Sequence, residues 1–240
     1  MDKTKIQRRV DNVVSEVALK LGFKDEHRSI NYSWGFDRIV TSQINVFELT
    51  NSFRIVLSLS RRVNQLETTW EEYSKLLGLQ NEENITFNLT TLFCFPELIN
   101  QSYNHEGTGW ISFSINDNGF KDFKETVEYI LCNKILPKSE ELLDLKKLDH
   151  LINDKIELND DMTSYVFNSN GLIYRRMTLA KITENPLFEN ICEYHRSYFD
   201  QYETLAKNPG YEYLANVPIV FEEVYNKIEN LKDVGSLLEN

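Results

Sequence analysis

Three short segments alternate apolar and polar residues, and this pattern constrains the fold more than any other feature of the sequence. The segments are Phe53–Arg62, Ile85–Phe95 and Trp110–Ile115. A period of two predicts strands that lay one face on a core. The opposite face, which we call the polar sheet face, is the candidate ligand or partner surface, although any solvated antiparallel sheet can look the same. Its members are Arg54, Ser58, Ser60, Arg62, Thr86, Asn88, Thr90, Ser112 and Ser114.

The first 116 residues predict one helix followed by strands. Apolar residues recur at helical spacing over Ile6–Leu21, and Gly22 is placed to end that helix. Strands are predicted at Ile30–Val40 and Gln43–Leu49, ahead of the three alternating segments, with a short helix at Glu67–Leu77. We therefore expect an antiparallel sheet in this part of the chain.

The pattern changes to helices after Asn116. Asp117 or Asn118 is placed to cap a helix that Pro137 ends, and a second helix should run through Leu142, Leu145, Leu148 and Ile152. Three further helices are expected at Leu172–Ile182, from Asn185 to about Ala206, and from Pro218. The alternative for the first of these is a hairpin of Tyr165–Phe167 and Leu172–Tyr174. The prediction is an α+β protein with an N-terminal helix on a mainly antiparallel sheet and a C-terminal helical half packed against it. The domains are predicted at 1–116 and 117–240.

Charge and composition limit the classes of partner. The formal net charge is −11, which argues against nucleic-acid binding and against docking on an anionic membrane. No segment approaches the roughly 20 apolar residues that span a bilayer, and the charged Met1–Arg9 does not resemble a signal peptide. We therefore predict a cytoplasmic protein. The three cysteines lie far apart, so the sequence predicts no disulfide framework, and it predicts no cofactor.

No motif predicts catalysis. Walker A, Rossmann and nucleophile-elbow patterns are absent from the sequence, and we assign no catalytic residue. Glu189, Cys192 and His195 are spaced like ligands on one helix face, but the polar edge of a buried helix explains them better than a metal site.

Two further features bear on partners. The doublets Arg61-Arg62 and Arg175-Arg176 are interpreted as salt-bridge partners of nearby Asp and Glu residues. A tyrosine cluster favours a protein partner or self-association, because tyrosines are common at interfaces. The cluster consists of Tyr194, Tyr198, Tyr202, Tyr211 and Tyr213.

The opening of the chain resembles a bacterial family of uncharacterised domains, some of which are grouped with toxin-immunity proteins. The residues that carry the resemblance are the helix Ile6–Leu21, the Leu21-Gly22-Phe23 motif and the strands through Arg62. The resemblance implies a binding protein without catalytic machinery. The leading hypothesis is a non-catalytic binding or protein-interaction module, and the alternatives are a hydrolase or nuclease of unrecognised type and a structural oligomer component.

Overall fold

The computed structural model describes residues 3–25, 31–34, 37–47, 52–78, 86–90, 111–157 and 171–229. The strands in these ranges are β1 (Lys24–Asp25), β2 (Asn31–Trp34), β3 (Asp37–Phe47), β4 (Ser52–Arg61), β5 (Phe87–Thr90) and β6 (Ile111–Ser114). The α-helices are α1 (Lys3–Lys20), α2 (Asn64–Ser74), α3 (Asp117–Ile130), α4 (Leu136–Leu143), α5 (Leu145–Asn153), α6 (Leu172–Ile182), α7 (Phe188–Arg196), α8 (Phe199–Leu205) and α9 (Val217–Glu229). A π-helical turn, Leu131–Ile135, joins α3 to α4, and a 3₁₀-helix, Glu212–Asn216, precedes α9. Within these ranges no helix is both long and apolar enough to cross a membrane.

Helices hold most of the described residues, so the chain is predominantly helical and the predicted α+β class is wrong. The antiparallel sheet is small, because four of its six described strands have four residues or fewer. The N-terminal helix is not a lone helix on a sheet either, since α1 pairs with α3. Three ion pairs join these two helices: Arg9 with Asp117, Lys20 with Glu128, and Lys124 with Glu16.

The described chain forms two compact units, and each combines two separated stretches of sequence. The first unit consists of Met1–Arg61 and Phe87–Glu141, and the second of Arg62–Thr86 and Leu142–Asn240. The sequence instead predicts a single boundary after Asn116.

The first unit contains the sheet. Its strands follow the order β1-β2-β3-β4-β5, and β6 pairs antiparallel with the end of β4 that β5 leaves free. β3 is continuous where the sequence predicts a break between two strands, and the register against β4 shifts there, between Thr41 and Gln43. A bulge therefore takes the place of the predicted interruption.

An aromatic cluster forms the core where α3 meets β4 and β6. The ring of Phe53 stacks on Phe120 at 4.9 Å and meets Phe113 and Phe123 at 5.5 and 5.4 Å. α3 begins here because the Asn116 side chain accepts a hydrogen bond from the backbone N–H of Gly119 at 2.8 Å. The cap is therefore Asn116, whereas the sequence predicts Asp117 or Asn118.

Pro137 does not end the helix that precedes it, contrary to the prediction. It is the second residue of α4, directly after the π-helical turn. A proline is tolerated in the first turn of a helix, because its missing N–H would have no helical partner there. The wide turn creates such a first turn in the middle of a continuous helical segment.

Gly22 ends α1 as predicted. Its φ of 89° is left-handed, and the N–H of Phe23 bonds back to the carbonyl of Ala18 at 3.0 Å. Most of the predicted stripe of α1 is buried: Ile6, Val10, Val14 and Val17 are at most 1% exposed, whereas Val13 and Leu21 are half-buried. Local sequence signals therefore suffice for this element.

The second unit is built around α6. Eight of its residues are buried, and it packs against α2, α5, α7 and α9. The surrounding apolar core draws Trp70 and Tyr73 from α2, Ile191 from α7, and Phe221 from α9. Because most of α6 is buried, its two arginines, Arg175 and Arg176, must find buried partners.

Candidate functional site

The backbone register brings together six members of the polar sheet face. Three β4 residues lie directly opposite polar residues of neighbouring strands. Arg54 is opposite Ser112 of β6, and Ser58 and Ser60 are opposite Thr90 and Asn88 of β5. The side chains of Arg54, Ser58, Ser60, Asn88 and Thr90 lie outside the described ones. Ser112 is half-buried and Ser114, opposite Ser52, is exposed.

The other two members of the predicted face lie outside the strands and within the second unit. Arg62 forms an ion pair with Glu71 at 2.7 Å. Thr86 is fully buried, accepts a hydrogen bond from the N–H of Val63 at 2.7 Å and donates one to Glu67 at 2.8 Å. Thr86 therefore serves the interior of the second unit rather than an open surface.

A pocket with a volume of about 330 Å³ lies within the second unit. Its aromatic lining consists of Tyr174, Tyr194, Tyr198, Tyr202 and Tyr213, together with His195. Its aliphatic lining consists of Leu77, Leu172, Ile173, Leu214 and Val217. This composition, mostly apolar with a few polar tips, is typical of small-molecule sites.

The break between α7 and α8 shapes one wall of the pocket. The sequence predicts one helix from Asn185 to about Ala206, whereas α7 ends at Arg196 and α8 begins at Phe199. Tyr194 and Tyr198 flank the break, and the Tyr198 hydroxyl donates to that of Tyr194 at 2.9 Å. Tyr194, Tyr198 and Tyr202 recur at intervals of four residues, and all three line the pocket.

His195 connects the pocket to a buried polar network. Its Nε2 lies 3.5 Å from Nη1 of Arg176, which is fully buried on α6. Nε of Arg176 donates to Oδ1 of Asn153 at 2.7 Å, and Nη2 donates to the carbonyl of Lys155. Asn153 in turn donates to the carboxylate of Asp149 at 2.6 Å.

Burial sets the protonation of this network. Loss of hydration and the adjacent Arg176 lower the pKa of His195 to about 3, so the imidazole is neutral near neutral pH. Burial also lowers the pKa of Arg176 to about 10, which leaves the guanidinium charged. The pKa values of Tyr174 and Tyr202 are raised by burial, so both phenols keep their protons.

A second buried arginine, Arg175, follows Tyr174 on α6. Arg175 donates from Nε and Nη2 to the two carboxylate oxygens of Glu67, at 2.9 and 2.6 Å. Both side chains are at most 1% exposed. The ring of Trp70, which stacks on Tyr174 at 5.5 Å, lies 5.1 Å from the guanidinium carbon. This pair holds α2 against α6 and so fixes Tyr174 in the pocket wall.

The arginine doublets behave largely as predicted. Arg61 pairs with Glu140 at 2.7 Å, Arg62 with Glu71 and Arg175 with Glu67. Arg176 differs, because its direct polar contacts in the described part of the chain are an amide, a carbonyl and an imidazole.

Glu189, Cys192 and His195 do not converge. Glu189 is exposed and accepts a hydrogen bond from Tyr225, whereas Cys192 and His195 are buried. The described residues contain no group of three His, Cys, Asp or Glu side chains placed to hold a metal ion.

The chain matches no protein-family model, no curated protein and no solved structure. The site therefore rests on its own geometry: a predominantly helical unit with a tyrosine-lined pocket backed by a buried arginine.

Sequence reasoning found part of this pocket. Four of the five clustered tyrosines line it, and Tyr211 is 51% exposed and lies outside it. Tyr174 lies outside the tyrosine cluster of the sequence, and the sequence indicates only the polar edge of a buried helix for His195. The sequence around each residue does not indicate that the packing of α6 against α7 places Arg176 next to the His195 ring.

Proposed function

We propose that the protein is a non-catalytic binding protein whose second unit holds a small, largely apolar ligand. The tyrosine-lined pocket carries this proposal. Its volume of about 330 Å³ falls at the lower end of the range for ligand pockets, roughly 300–1,000 Å³. The ligand is therefore compact.

The chemistry of the lining supports binding over hydrolysis, the alternative that the sequence leaves open. A hydrolase needs a nucleophile, a base or a metal-bound water in its cleft. Among the described lining residues the ionisable groups are phenols and one imidazole, and none is a carboxylate. The nearby Cys192 does not line the pocket, and burial raises the pKa of its thiol to about 12.

The polar sheet face stays a separate proposal. The register supports it by placing Ser58, Ser60 and Arg54 opposite other polar residues. The strand members of this face lie in the first unit, whereas the pocket lies in the second, so the two proposals are tested separately.

The test is binding of a neutral apolar fluorophore, N-phenyl-1-naphthylamine, to the full chain. We expect saturable fluorescence enhancement that Leu214→Trp abolishes, because a larger side chain at this half-buried wall position fills the cavity. Ile219→Trp is the matched control, since Ile219 is 61% exposed and does not line the pocket. Equal binding by both variants, or no saturable binding by the wild type, would refute the proposal.

A further inference from the structure

The tyrosine-lined pocket has one electrically distinct end, at His195. Behind this imidazole lies the guanidinium of Arg176, whose described polar partners are all neutral: the Asn153 side chain, the Lys155 carbonyl and His195 itself. The nearest carboxylate in this network, Asp149, is occupied by two amides instead. Asn153 and Asn185 each donate to one of its oxygens at 2.6 Å.

The contact with Arg176 also fixes the tautomer of His195. A guanidinium only donates hydrogen bonds, so Nε2 of His195 must be the acceptor in this pair. The imidazole is neutral, because burial and the adjacent guanidinium hold its pKa at about 3. Its single proton therefore sits on Nδ1. His195 thus offers the pocket an N–H donor that a buried cation polarises.

The rest of the lining does not offset this positive potential. The described lining residues include no carboxylate, and burial raises the pKa values of Tyr174 and Tyr202, so these phenols are uncharged. Asp149 acts on the charge of Arg176 through space, but its oxygens bind two amides and not the guanidinium. A charge at a buried position acts over a longer range than it does in solvent. A ligand with a negative group at this end gains an interaction that a neutral ligand lacks.

We propose that the pocket selects a small aromatic carboxylate, with its ring among the tyrosines and its carboxylate at the His195 end. This inference rests on the proposed function and adds the chemical class of the ligand. Flat rings suit a cavity lined by five tyrosines, which prefer offset or edge contacts with other aromatics. A charge-assisted hydrogen bond from the imidazole N–H would orient the acid.

Three naphthalene probes of equal ring size test the charge preference by titration calorimetry on the full chain. They are 2-naphthoate, 2-naphthamide and 2-naphthylmethylammonium. We expect the acid to bind about tenfold more tightly than the amide, and the ammonium more weakly than both. Equal affinity of acid and amide would overturn the ligand class and leave the pocket proposal standing. Failure of all three probes and of the neutral fluorophore would overturn both.

Two variants locate the preference at His195. His195→Leu should reduce the acid preference well below tenfold, because it removes the N–H donor while Arg176 keeps its charge. Tyr202→Leu should weaken acid and amide equally, since it removes only ring contacts. Tyr211→Leu, at an exposed tyrosine outside the pocket, should bind both probes like the wild type. A tenfold acid preference that survives in folded His195→Leu would refute the role of this imidazole.

Discussion

Acidification should destabilise the second unit through His195, and the structure sets the size of the effect. The side chain is 2% exposed, and its burial beside Arg176 lowers its pKa to about 3. In the unfolded chain a histidine has a pKa of about 6.5. Between these values the unfolded state binds a proton that the native state does not, so stability falls as the pH drops below 6.5. At about pH 5 the gap of about 1.5 pH units corresponds to about 2 kcal/mol.

Urea unfolding at about pH 7.5 and about pH 5, followed by tryptophan fluorescence and far-UV circular dichroism, measures this loss. The variant for comparison is His195→Gln, which does not titrate and whose carbonyl can still accept from Arg176. We expect the wild type to lose about 2 kcal/mol more than this variant on acidification. His150→Gln is the control, because His150 is exposed on α5 and pairs with Asp154 at the surface. Equal losses in the wild type and His195→Gln would refute a buried neutral imidazole.

Three further substitutions test contacts that position the site or build the units. Glu67→Gln should cost about 3–5 kcal/mol in urea unfolding, because it leaves the buried Arg175 without its counter-charge. Gly171→Ala should cost about 1–3 kcal/mol, because a Cβ there would lie 2.3 Å from Nη1 of Arg175 and 2.8 Å from the ring of Trp70. Asn116→Ala should lower the stability of the first unit by about 1 kcal/mol, since it removes the N-terminal cap of α3.

Each of these has a matched control or a contrary outcome. Glu72→Gln is the control for Glu67→Gln, because it breaks an exposed ion pair with Lys227 and should cost less than about 1 kcal/mol. An equally small loss in Glu67→Gln would contradict the role of Glu67 as the counter-charge of Arg175. Wild-type stability in Gly171→Ala would show that the close approach of Trp70 is not required. Asn118→Ala, at the second residue of α3, should leave the free energy of unfolding nearly unchanged. Equal losses of stability in Asn116→Ala and Asn118→Ala would refute the role of Asn116 as the cap.

Elements with strong local signals were predictable. Gly22 ends α1, and α9 begins at Val217, one residue before the predicted Pro218. In each case apolar spacing or a backbone-specific residue acts within a few positions of the chain. The strand core at Phe53, Leu57 and Leu59 also follows from alternation alone.

The proportion of helix to strand and the composition of the site were not predictable from local patterns. Alternation over Ile85–Phe95 predicts a strand, and the described part of it, Phe87–Thr90, pairs antiparallel with β4; the pattern alone does not identify this partner. Pro137 was expected to stop a helix because the sequence does not show a π-helical turn. Thr86 was assigned to an open face although its hydroxyl completes the buried Glu67–Arg175 pair.

The sequence by itself determined the helices with regular apolar spacing, the alternating strand core and the crowding of tyrosines between residues 194 and 213. Only the tertiary structure decided that four of those tyrosines enclose a cavity and that Arg176 lies behind His195. The physical reason is that helical spacing specifies which residues share a face, while the charge and burial of a site depend on neighbours distant in sequence. Arg176 and His195 are 19 residues apart, and only the packing of α6 against α7 makes one the electrostatic environment of the other.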